Sequence, residues 1–71
     1  MKLHYDPETD SLYIDLNQRT SVDSRDVAEG VVVDLDNEGH IVGIDIDRAS
    51  SRLDLEAVET EALPLVPSGT A

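Results

Sequence analysis

A chain of 71 residues holds one domain at most, and it carries a formal charge of −11 from five Lys or Arg against sixteen Asp or Glu. Such a surface repels phosphate backbones and anionic bilayers, and no basic stripe interrupts it, which argues against nucleic-acid and membrane binding. Cysteine, Phe and Trp are absent, which removes disulfides, thiolate zinc sites and cysteine nucleophiles and leaves Leu, Ile and Val to build the core.

A core of that size is marginal alone, and self-association is the common remaining way to bury more apolar surface. A homodimer is therefore expected, and a basic protein partner would be steered toward so acidic a chain. No charged-then-apolar leader opens the sequence, and no apolar run approaches the ~20 residues of a membrane span, so cytoplasmic placement is the expectation.

Met1 to Asp6 alternates, with Met1, Leu3 and Tyr5 on one face and Lys2, His4 and Asp6 on the other, which predicts a strand. A turn over Pro7 to Asp10 follows, and Leu12, Ile14 and Leu16 alternate with Tyr13 and Asp15 in a second strand. Keeping both apolar sets on one face requires Tyr5 opposite Leu12 and Leu3 opposite Ile14. Asn17 to Asp26 is polar and without a sustained period, and reads as a connection with room for a short edge strand around Val22.

The stretch from Glu29 to Asp47 predicts a second hairpin, with two runs rich in β-branched residues flanking Asn37-Glu38-Gly39-His40. Face matching pairs Leu35 with Val42, Val33 with Ile44 and Val31 with Ile46, and places Gly39 in the left-handed conformation. Val32 and Ile41 then remain on the outer face with Tyr13, and these three are the candidate dimer contacts.

Beyond Asp47 the pattern changes. Ala49, Leu53 and Ala57 fall at a spacing of four, and Ser51 followed by Asp54 resembles a capping box, which predicts a helix from Ala49 laying its Leu53 side on the sheet. Its continuation through residues 54–63 is left open by the like charges of Glu56, Glu59 and Glu61. The expected architecture is thus α+β over residues 1–63: an antiparallel sheet of about four strands, as two hairpins in a meander, with one C-terminal helix on one face. Residues 64–71 read as a flexible tail.

Several short runs carry a family likeness: Tyr5-Asp6-Pro7-Glu8, Asp10-Ser11-Leu12-Tyr13-Ile14, Gly30-Val31-Val32-Val33-Asp34, Gly39-His40-Ile41-Val42-Gly43-Ile44 and Ala49-Ser50-Ser51-Arg52-Leu53. In that order they resemble the small bacterial family catalogued as domain of unknown function 2283, from about Leu3 to Leu53. The resemblance implies a compact antiparallel sheet with a helix. It brings no established activity and no catalytic residues. Some relatives are thought to be encoded beside small toxin-like proteins, which would suit an acidic antitoxin partnering a small basic toxin. The acidic extension after Leu53 has no counterpart in the pattern.

Few constellations suggest chemistry. Asp34, Asp36 and Glu38 before Gly39, with Asp45 at the final ligand position, follow the start of an EF-hand calcium loop and raise the alternative of a calcium-binding hairpin module. The final ligand should be Glu and the flanks helices, whereas strands flank this loop, and an Asp-rich hairpin turn explains the same residues without metal. Asp6, Glu8 and Asp10 have the same turn explanation. His4 and His40 are read as solvated polar positions, and no Gly-x-Ser-x-Gly element or Gly-rich phosphate loop occurs. The expectation is a non-catalytic interaction module without cofactor.

Overall fold

The computed structural model describes residues 1–64. Strands Lys2–Asp6 (β1), Ser11–Asp15 (β2), Asp23–Ala28 (β3), Val31–Leu35 (β4) and Ile41–Ile46 (β5) form one antiparallel sheet, followed by a single helical turn, Ala49–Arg52 (α1). No helix among these residues is long and apolar enough to cross a membrane. Of the expected flexible tail, residues 65–71 lie outside the described residues.

The β1–β2 hairpin follows its expected register, with Leu3 opposite Ile14, Tyr5 opposite Leu12, and Pro7 to Asp10 as the loop. Elsewhere in the sheet, expectation and structure part in three places. The sheet has five strands instead of four, because Asp23–Ala28 is a full edge strand paired to β4. All six of its residues are exposed, so no burial pattern marks it in the sequence and the backbone ladder holds it.

The strand order is β1-β2-β5-β4-β3 and not a meander of sequential neighbours. The aliphatic strands explain it. Placing β5 beside β2 sets Ile46 against Leu12 and Ile44 against Ile14, gathering the richest apolar rows at the centre and leaving polar β3 at an edge. The connection from β2 to β3 must then pass the ends of β5 and β4. It is tied there by the Leu16 N–H to the Val42 carbonyl at 3.0 Å and the Val22 N–H to the Leu35 carbonyl at 2.8 Å.

The third departure is local. Val31 pairs with Ile46 and Val33 with Ile44 as expected, but a bulge sets Leu35 opposite Ile41 instead of Val42. The extra residue bends the strand and leaves Val42 well buried, at 3% exposure.

Across the sheet the register assembles two apolar rows: Leu3, Ile14, Ile44 and Val33, then Tyr5, Leu12, Ile46 and Val31. Leu12, Ile46 and Ala49 form the buried cluster, against which Ile14, Val31, Ile44, Leu53 and Leu55 pack. The predicted helix exists from Ala49 but lasts one turn, so it covers only one end of this face. The capping box does not form. Ser51 Oγ instead donates to the Arg48 carbonyl at 2.9 Å, and Arg48 enters the helix in the left-handed region, at φ 49°. Residues 53–64 contain no further helix. Arg52 closes the turn by reaching across Gly30 to the Asp47 carbonyl, Nε to O 2.8 Å. Gly30 (φ 74°) leaves room for it, since a Cβ there would stand 2.6 Å from Arg52 Nη2.

Candidate functional site

Three sets of polar residues are organised enough to be weighed as sites. The first is on the outer face of the sheet, where the register lines up His4, Tyr13, Asp45, Val32 and Asp26 in one row and Lys2, Asp15, Gly43, Asp34 and Ser24 in the next. Tyr13 leans diagonally over Gly43, and its hydroxyl donates to Asp34 Oδ2 at 2.8 Å on the strand beyond. Ser24 Oγ donates to the other oxygen, Asp34 Oδ1, also at 2.8 Å. The bond to Asp34 raises the Tyr13 phenol to about 12, with partial burial and the carboxylates of Asp15 and Asp45 adding to the effect. Asp45 is itself pushed above the usual carboxylate range by desolvation and by the charges of Asp47 and Asp34.

The second set is the Asp36 carboxylate at the β4–β5 loop, a buried side chain at 6% exposure. Its Oδ1 accepts the backbone N–H groups of Glu38 and His40, both at 2.9 Å, and its Oδ2 lies 3.4 Å from Arg19 Nη1 and from His40 Nδ1. The His40 amide first, then that of Glu38 and the His40 imidazole, hold it below its ordinary value against the cost of burial. Asp36 thus shapes the hairpin turn and tethers the β2–β3 connection through Arg19. Gly39 takes the expected left-handed conformation there, at φ 85°.

The third set caps the helical turn from a distance. Asp10, itself left-handed at φ 53°, offers its carbonyl to the Ala49 N–H at 2.8 Å. Its carboxylate accepts the Ser50 N–H at 3.1 Å, Ser50 Oγ at 2.6 Å and the Tyr5 hydroxyl at 2.7 Å. The Ser50 and Tyr5 hydroxyls draw the Asp10 carboxyl below its ordinary value. Asp6, in the same acidic cluster, accepts the Glu8 N–H at 3.0 Å as a turn residue does.

The four residues of the calcium-loop pattern do not converge. Asp34 and Asp45 lie on the outer face, Asp36 is occupied by two amides, and Glu38 is exposed in the loop; among the described residues no cluster of three or more His, Asp or Glu could hold a metal ion. Of the three candidate dimer contacts, Tyr13 and Val32 share a row with Asp45 between them, and the bulge pairs Ile41 with Leu35. Ile41 is 46% exposed while the other two are half-buried. Sequence reasoning missed the Tyr13–Asp34 bond and the Asp10 cap. The one local sign of the former is a glycine inside a strand pattern, which marks close approach by another group.

On the opposite, apolar face lies an open groove of about 740 Å³ between β1 and the chain after α1, lined by Leu3, Tyr5, Leu12, Leu53, Leu55 and Val58. Leu3 is 52% exposed and Tyr5 45%. Ser50, Asp54 and Glu56 complete the lining, and the two acids supply its charge.

Comparison of the chain with curated proteins and with solved structures found no match. A family model spans residues 2–50, from the first strand to the residue that Asp10 caps, and leaves the acidic extension outside. With that match over more than half its length, the chain belongs to the family described as protein of unknown function (DUF2283).

Proposed function

We propose that this protein is a non-catalytic interaction module that works as a homodimer. The observation behind this reading is the incompletely covered apolar face. A four-residue helix shields one end of it, and Leu3 and Tyr5 stay about half exposed beside the groove. A second copy meeting Leu3 and Tyr5 would supply apolar burial that so short a chain lacks. The best-organised carboxylates support the non-catalytic part, since Asp10, Asp34 and Asp36 each spend their oxygens on internal hydrogen bonds. Sedimentation equilibrium from micromolar to millimolar concentration tests the reading: a dimer is expected, and a folded chain that stays monomeric throughout would overturn it.

The outer face favours a second reading, an acidic antitoxin-like partner of a small basic protein. Asp15, Asp26, Asp34 and Asp45 share that face in adjacent rows, with Lys2 its one cation in those rows. Pull-down of a basic candidate at low and high salt is the check. Binding that weakens as salt rises supports it, and no binding at low salt rejects it.

A further inference from the structure

The homodimer reading leaves the interface open, and β1 specifies it. Among the described residues this strand is one edge of the sheet, hydrogen-bonded only to β2 and exposed along its whole length, and its outer row of backbone groups faces no other strand there. We infer that two copies join through antiparallel β1 edges, with His4 of one opposite His4 of the other, making a continuous ten-stranded sheet. The inference rests on the dimer reading above and assigns its interface.

The residues of β1 select this register. Antiparallel strands joined about a two-fold axis keep both apolar faces on the same side only if a residue meets its own copy at the centre. Centring on His4 sets Lys2 opposite Asp6 of the second copy and, by symmetry, Asp6 opposite Lys2, two attractive pairs on the outer face. It also sets Leu3 opposite Tyr5 on the apolar face, so four half-exposed side chains meet where each copy has its groove. Centring on Leu3 would place Lys2 opposite His4, and centring on Tyr5 would run Leu3 into Pro7, so neither uses the strand as well.

The other edge does not offer this. In β3, centring on Ser24 sets Asp23 opposite Arg25 but Val22 opposite Asp26, so no apolar pair forms; centring on Arg25 opposes two arginines, centring on Asp26 opposes two aspartates, and the bulge between Asp26 and Ala28 interrupts the ladder. Like charges and bulges are the devices by which edge strands avoid pairing. β3 has the bulge and no apolar pair, while β1 is regular and matches charged and apolar residues in one register.

The test is a charge exchange read by sedimentation equilibrium, with circular dichroism to check the fold. K2E sets Glu against Asp6 twice per dimer and is expected to weaken association roughly tenfold or more. D6K does the same with two lysines; because Asp6 also accepts the Glu8 amide, D6N serves as a second variant that keeps the turn and weakens association less. The double variant K2E/D6K restores opposite charges and should recover the dimer. Mixing K2E with D6K should give a one-to-one heterodimer, visible by native mass spectrometry. A wild-type dimer whose association is unchanged in K2E and D6N would overturn the β1 interface while leaving the homodimer reading intact. A wild-type monomer at millimolar concentration would overturn both.

Discussion

Tyr13 lies over Gly43 so closely that a Cβ on the glycine would overlap the phenolic oxygen. Replacing Gly43 by Ala should therefore expel the ring and break its bond to Asp34, at a cost of about 1–3 kcal/mol. In a Tyr13→Ala background the same Gly43→Ala change should be neutral or slightly stabilising, because an alanine suits a strand better than glycine once the ring is gone. A double-mutant cycle by urea denaturation measures the coupling, and equal costs in both backgrounds would refute the overlap.

Removing only the hydroxyl, as Tyr13→Phe, should cost about 1 kcal/mol at neutral pH by leaving Asp34 Oδ2 without its donor. The alkaline behaviour carries a sign. The folded phenol is raised to about 12 from an ordinary value of 10, so its contribution is whole below pH 10 and is lost as pH rises through about 12. Absorbance titration at the tyrosinate band should show both tyrosines ionising above the ordinary range, Tyr5 through its bond to Asp10, and Tyr13→Phe should remove the component near 12.

Asp45 should behave in the opposite sense from a useful carboxylate. Its folded value is raised by desolvation and by its acidic neighbours, so the folded state favours the protonated form. Stability from this group is present below its ordinary value and is lost as pH rises through the folded one. Asp45→Asn should raise the neutral-pH stability by about 0.5 kcal/mol or less, and the gain should vanish below about pH 4. Thermal melts at pH 7 and pH 3.5 make the comparison.

Asp36 has the reverse linkage. Its lowered value means that its contribution is present above the ordinary range near 3.8 and is lost as pH falls through the folded value. Asp36→Ala should loosen the β4–β5 loop and the Arg19 tether together, whereas Asp36→Asn keeps an acceptor for the Glu38 and His40 amides. Hydrogen exchange at those two amides should therefore quicken much more in Asp36→Ala than in Asp36→Asn.

Salt separates the two proposed partners. Two copies each bearing −11 repel, so homodimer association should strengthen as sodium chloride rises from low to near-physiological concentration. A complex with a basic protein should weaken over the same range. Sedimentation of the protein alone and calorimetry with the basic candidate read these opposite slopes.

Much of the architecture can be read from the chain by itself. Alternation in Leu3, Tyr5, Leu12 and Ile14 is enough to define the first hairpin and its register, because a slip of one residue would turn an apolar set to solvent. The same logic places Val33 against Ile44 and Gly39 in its turn. That information is local: a side chain, its neighbour two positions away and a turn residue. What only the tertiary structure decided is long-range. Edge strand β3 has no apolar face to announce it, the order β1-β2-β5-β4-β3 depends on which aliphatic rows meet, and Asp10 caps Ser50 from 40 positions away. Tyr13 finds its room over Gly43 and its partner in Asp34 only when β5 lies between β2 and β4. Such contacts leave no period in the sequence, because they join segments whose distance apart along the chain is unrelated to their distance in the sheet.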